Sequence, residues 1–224
     1  MKPVVGTRRV AAVRFFAIVW LLTQAGFAAW ASAAPARLTV QVDRPGPRIS
    51  PTLYGIFFEE INLAGDGGLY AELVRNRSFE DADKPDHWSL VKSGSMQGQM
   101  AIDAQQPMSP QNPRSLRLTI APGGEGRLGV ANGGYFGMAL QKGAVYQLTL
   151  AARAGQGFAG PLTATLEDQG GRCVYAQAKV DGISGQWKTF HATLTADATD
   201  PQARLVIAAS QPGVLWLDMV SLFP

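Results

Sequence analysis

The sequence has one cysteine, Cys173, and two histidines, His87 and His191, in 224 residues. A lone thiol excludes an intramolecular disulfide, so stability must come from a packed core, with a bound metal ion as the remaining kind of staple. The setting Arg172-Cys173-Val174 predicts a small buried apolar residue rather than a nucleophile, and two histidines leave little material for a Cys/His catalytic pair. Long apolar runs are scarce too. There is one, from Phe15 to Trp30, preceded by Lys2, Arg8, Arg9 and Arg14 and ending in Ala31-Ser32-Ala33. Thr23 and Gln24 interrupt it, and the small-x-small ending is a cleavage pattern, so residues 1–33 are predicted to be a signal peptide rather than a membrane anchor. The expected location is periplasmic or extracellular. The Arg8-Arg9 pair leaves both the general and the twin-arginine export routes open.

Removing residues 1–33 takes away four of the 20 Lys and Arg and none of the 17 Asp and Glu. That leaves 16 basic against 17 acidic residues, formally −1, with no basic run in what remains. A phosphate backbone needs such a run, so a nucleic-acid partner is excluded, and cleavage leaves no membrane-spanning segment.

Helical periodicity is confined to one short stretch. Leu69 and Leu73 stand a turn apart with Tyr70 and Val74 beside them, which predicts a short amphipathic helix over residues 69–75. Before it, Leu38, Val40 and Val42 alternate with polar residues as in a half-buried strand, and Leu53 to Phe58 is nearly continuous in apolar character, as in a strand covered on both faces. From Trp88 onward, turn clusters separate runs of period two. Tyr146, Leu148, Leu150 and Ala152 share one side of such a run, and Leu162/Ala164/Leu166, Phe190/Ala192/Leu194 and Leu205/Ile207/Ala209 repeat the pattern. Strands at this spacing without intervening helices predict an antiparallel sandwich. A parallel strand needs parallel neighbours, and none follows, so residues 34–75 read as the start of a second, incomplete domain ahead of the sandwich at 76–224.

Three stretches, "LYGIFFEEINLAGDGGLYAELVRNRSFE" (53–80), "NGGYFGMALQKGAVYQLTLAAR" (132–153) and "WLDMVSLFP" (216–224), resemble the N-terminal part of secreted α-L-arabinofuranosidases of glycoside hydrolase family 51. The part from "NRSFED" to "VLWLDMVSL" is similar, more loosely, to carbohydrate-binding modules of families 4 and 9. The resemblance implies a mainly β chain: a jelly-roll-like β-sandwich preceded by the first strand and helix of an incomplete (β/α)8 barrel. It implies a parent enzyme that hydrolyses L-arabinofuranosyl units with retention, with plant cell-wall polysaccharide, arabinan or arabinoxylan, as partner. Both catalytic glutamates would come from later barrel strands, so no catalytic residue is assigned here.

Barrel active sites lie at the C-terminal ends of strands, where Glu59, Glu60 and Asn62 would stand. The resemblance matches Glu59 to a residue that hydrogen-bonds arabinose. Glu60, on the opposite strand face, could equally cap the helix that follows. In the sandwich, Tyr135, Phe136, Tyr175 and Trp187 are the aromatic candidates for stacking on a sugar ring, with a domain contact as the competing role for Tyr135 and Phe136. Trp88, Trp216 and Tyr146 read as core. Asp218 shares a strand phase with Trp216, Val220 and Leu222, and a carboxylate in that company needs donors or a cation. The resemblance suggests a structural calcium held by Glu80 and Asp218; a hydrogen-bonded carboxylate is the alternative. Two rival readings of the whole chain stand beside the enzyme fragment: a free-standing polysaccharide-binding protein, and a sandwich that braces the barrel without binding sugar.

Overall fold

The computed structural model describes residues 36–55 and 57–224. The signal-peptide reading of residues 1–33 falls outside them. The described residues up to Gly55 belong to one unit and Phe57–Pro224 form a second. Within the first unit, residues 36–55 carry turns at Gln41–Arg44 and Ser50–Leu53 but no strand. The strand expected at Leu38–Val42 is not formed there, and Leu38, Val40 and Val42 are exposed. A ladder needs a partner edge, and the alternation in sequence has none to pair with.

The second unit is built from eleven strands: β1 (Trp88–Lys92), β2 (Gly98–Asp103), β3 (Ser115–Ile120), β4 (Leu128–Asn132), β5 (Met138–Leu140), β6 (Val145–Ala154), β7 (Leu162–Glu167), β8 (Val174–Val180), β9 (Lys188–Thr195), β10 (Asp200–Ala209) and β11 (Gly213–Phe223). The first sheet runs β1-β4-β10-β7-β8, with β5 also on β10, and the second runs β2-β3-β11-β6-β9. Every strand pairing is antiparallel. The predicted mainly-β antiparallel sandwich is therefore present. Its core is the set of inward alternate residues: Leu118, Leu148, Leu150, Leu215 and Leu217 from the second sheet meet Val130, Leu166, Leu205 and Ile207 from the first. Each such side chain removed from water stabilises the fold by about 2 kcal/mol, which is why the period-two pattern sets the topology.

The stretch 57–75 departs from expectation. No helix forms over residues 69–75, and the described residues of 53–58 belong to no strand. Leu69 is left 78% exposed, so the Leu69/Leu73 pair that suggested a helical stripe does not form. Seven residues make too short a helix to hold without a face to pack on. Instead the chain lies along the end of β11. Leu73 N–H donates to the Leu222 carbonyl at 3.0 Å, Val220 N–H to that of Arg77 at 2.9 Å, and Tyr70 meets Phe223 edge-on at 5.0 Å. Glu72 and Val74 are thereby buried, ahead of residue 76.

β11 also corrects a face assignment. Its register against β6 shifts between Asp218 and Ser221, and Met219 there has φ 47°. This bulge inserts an extra residue and flips the alternation. Leu215 and Leu217 point inward before it, and Val220 and Leu222 point inward after it. Trp216 and Asp218 therefore stand on the other side of the sheet; Trp216 is buried, as expected, but on that outer face and outside the cluster between the sheets. Trp88 and Tyr146 are core residues. Cys173, predicted buried, is exposed on the turn before β8, where its N–H donates to Asp168 Oδ1 at 2.7 Å.

Candidate functional site

Three places gather polar chemistry in the second unit. The first is a cavity of about 280 Å³ beside the 60–81 segment, lined by Glu60, Asp66, Arg75, Arg77, Asp81 and Tyr135 among others. Gly67, with φ +81°, lies flat against the Tyr135 ring, and a Cβ there would fall 2.5 Å from it. The Arg75 guanidinium stands 5.9 Å from the ring centroid. Burial, and then the neighbouring Asp66 carboxylate, push the Tyr135 phenol above its ordinary value. Glu60 Oε2 accepts from Gly65 N–H at 2.6 Å, closing the turn. Glu59 is exposed and does not line this cavity; Asn62, with φ 54°, forms the bend between them and the turn.

The remaining aromatic candidates are not brought together. Phe136 is exposed, and its carbonyl accepts from Gln202 Nε2 at 3.0 Å. Tyr175, on β8 of the first sheet, donates to Asp200 Oδ2 at 2.9 Å, and that bond chiefly pushes its phenol up to about 12. Trp187, just before β9 of the second sheet, donates to the Gln106 carbonyl at 3.1 Å. On the outer face of that second sheet, Trp216 lies between Arg117 and Arg153 and donates to Asp103 Oδ2 at 2.9 Å. At 9% exposure it is covered rather than offered to a ligand.

The second place is the Glu80–Asp218 pair. Asp218 is fully buried; Oδ1 accepts from Met219 N–H at 2.7 Å, while Oδ2 has no hydrogen-bond partner. Burial first, and the like charge of Glu80 after it, push its carboxyl up to about 7 against the pull of the Met219 bond. Glu80 is held by Arg114, through the backbone N–H at 2.8 Å and the guanidinium at 3.3 Å. An orphaned buried oxygen facing a second acid is a setting that a cation would relieve. Among the described residues no three His, Cys, Asp or Glu side chains converge, so backbone carbonyls and water would have to complete the shell.

The third place, Glu167 at the end of β7, was not singled out by sequence reasoning. Its carboxylate is fully buried and accepts from Arg127, from Thr165 Oγ1 at 2.6 Å and from Arg204 at 3.4 Å. Burial alone would raise its pKa, but the bonds from Arg127, Thr165 and Arg204 outweigh burial and hold it below the ordinary glutamate value. A carboxylate of this kind contributes its stability fully above about pH 4.3 and loses it as pH falls through the lower folded value. Glu167→Gln is therefore expected to lower the melting temperature at pH 7 and to flatten the acid limb of the stability curve below about pH 4. Thermal melts of both proteins from pH 7 to pH 2 check this, and parallel curves for the two would contradict it.

The two-sheet antiparallel sandwich, with acids at its opening and closing segments, is the architecture of a carbohydrate-binding module. The chain belongs to the CBM_4_9 family of carbohydrate binding domains, whose model matches residues 71–213. Along its length the chain is 38% identical to an extracellular exo-α-L-arabinofuranosidase of Streptomyces chartreusis, over 84% of this chain and 22% of that protein. It is 35% identical to α-L-arabinofuranosidase 1 of Arabidopsis thaliana, over 84% of this chain and 29% of that one. Among solved structures, an arabinose-bound α-L-arabinofuranosidase, MgGH51, superposes with a TM-score of 0.68 at 29% identity, over 76% of this chain and 29% of the other. The chain thus spans less than a third of the length of the relatives it matches. The sandwich also superposes on a cyclase from Fischerella with a TM-score of 0.51 at 17% identity, a likeness of fold alone.

Proposed function

We propose that this chain is the N-terminal portion of an exported α-L-arabinofuranosidase, in which the sandwich binds plant cell-wall polysaccharide, arabinan or arabinoxylan, and holds it near a catalytic barrel. The observation that carries the reading is similarity running through 84% of the chain, across both the 53–80 stretch and the sandwich, to relatives named as arabinofuranosidases. A barrel would account for the exposed apolar side chains of Phe57, Phe58, Ile61 and Leu69, which its neighbouring elements would cover. Affinity electrophoresis in gels containing arabinan or arabinoxylan tests the binding role. Migration equal to that in a plain gel would favour the bracing role instead.

On this reading the chain alone does not hydrolyse arabinosides. Retention requires two carboxyl groups about 5 to 5.5 Å apart flanking the glycosidic carbon. Glu60 closes the Gly65 turn, and Glu72, Glu80 and Glu167 are each engaged by protein donors. Glu59, exposed here, is kept as the sugar-contacting residue on the family resemblance alone. The purified chain is expected to release no more 4-nitrophenol from 4-nitrophenyl α-L-arabinofuranoside than buffer does. Turnover abolished by Glu59→Gln would sink the assignment. We also propose that Glu80 and Asp218 hold a structural calcium ion, which would neutralise the two acids and join the opening segment of the sandwich to β11.

A further inference from the structure

The outer face of the first sheet is built for a charge that the proposed arabinan or arabinoxylan does not supply. Strand alternation projects Arg204, Val206 and Ala208 from β10 and Thr163, Thr165 and Glu167 from β7 to the same side, where Arg127, just before β4, also reaches. Small residues keep this face low. At one end a cavity of about 350 Å³ opens between Leu90, Val91 and Lys92 on one wall and Arg127, Gly171 and Arg204 on the other. Two guanidiniums share the single carboxylate of Glu167, which leaves one positive charge unbalanced.

Arg204 Nε is closed off and has no hydrogen-bond partner, although the same guanidinium reaches Glu167. Gly171 bears on the same point. Its φ is +69°, and a Cβ there would fall 2.6 Å from Arg204 Nη2 and 3.3 Å from Glu167 Oε2. A side chain at position 171 would press on the guanidinium edge that glycine leaves open. Glu167 thus fixes the two arginines, whose partly exposed guanidiniums line the open cavity. A guanidinium edge matches the two oxygens of a carboxylate better than a single hydroxyl, and the charge makes each bond stronger. Val91, which packs on Ala131, Val206 and Ala208, offers an apolar surface on this face to the C–H face of a ring.

We propose that this cavity binds a uronic-acid unit of a polysaccharide, its carboxylate received by Arg204 and Arg127. The proposal rests on the carbohydrate-binding reading and adds an acidic specificity to it. The test is affinity electrophoresis of the purified chain against polygalacturonate, its methyl ester, neutral debranched arabinan and polyglutamate. Polygalacturonate is expected to bind about tenfold more tightly than its methyl ester, the size of one charge-assisted hydrogen bond. Arg204→Gln should abolish that preference of the acid over the ester. Arg127→Lys, which keeps the charge but not the planar fork, should weaken polygalacturonate binding about threefold. Equal binding of acid and ester overturns the proposal, as does equal retardation by polyglutamate, which would mean cationic attraction without a sugar site. Retardation by neutral arabinan without acid preference defeats this inference alone, and retardation by no polymer defeats the carbohydrate-binding reading with it.

Discussion

Replacing Glu72 by alanine is expected to remove about 3 kcal/mol of folding stability, because it leaves buried backbone donors without an acceptor. Glu72 is 1% exposed and sits where the incoming chain crosses the end of β11. Its Oε1 accepts from Val74 N–H and Leu222 N–H, both at 2.9 Å, and its Oε2 from Ser221 Oγ at 2.7 Å, with Arg77 at 3.9 Å. Each buried donor stripped of its partner costs about 1 to 3 kcal/mol, and local opening to water recovers part of that. Glu72→Gln keeps one carbonyl acceptor and should cost roughly half as much. Glu59→Ala, at an exposed position, should stay within about 0.5 kcal/mol of the parent. Urea unfolding of the three variants measures the differences. Hydrogen exchange at Leu222 and Val220 supplies a second reading, since both amides bond to the 72–77 segment or to Glu72 itself. A loss below about 1 kcal/mol with unchanged exchange would mean that this segment is not a working part of the sandwich.

The same residue shows why part of the structure was legible in the sequence and part was not. Period-two alternation reports which face a side chain takes, and burial enforces it, so Leu148/Leu150 on β6 and Leu205/Ile207 on β10 could be read directly. Alternation fails where the backbone breaks step. Nothing in "WLDMVSL" announces that Met219 takes φ 47°, and that one residue moves Trp216 and Asp218 to the opposite side from Val220 and Leu222. Periodicity also misled at Leu69 and Leu73, since Leu73 packs on the core from an extended segment along β11 while Leu69 stays exposed. Residues whose roles depend on distant partners left no local trace. Glu72 meets Leu222 across 150 positions, Asn132 receives Arg75 N–H across 57, and Glu167 holds Arg127 across 40. Glu167 even falls in the polar phase of β7, where a solvent-facing carboxylate is the ordinary expectation. Asp218, by contrast, stood out as an acid in an apolar run, and its burial with one oxygen unpartnered is the physical counterpart of that signal.

That oxygen makes the response to calcium the other large effect to expect. In a cation-free fold Asp218 Oδ2 is desolvated without a donor while Glu80 adds a like charge, and both conditions oppose a carboxylate at that point. A calcium ion between the two would reverse the sign of their interaction and link the 77–80 segment to β11. The unfolded chain lacks the site, so binding stabilises the fold by mass action, about 2.7 kcal/mol at a hundred times the dissociation constant. For a domain of this size that corresponds to a rise in Tm of roughly 5 to 10 °C. Arg114 already neutralises part of Glu80, so the response should be carried mainly by Asp218. Asp218→Asn is therefore expected to abolish most of the calcium-dependent rise, and a chelator should lower the Tm of the parent but not of the variant. Melting curves indifferent to both calcium and chelator would leave Asp218 as a hydrogen-bonded carboxylate without a metal, held by its Met219 bond.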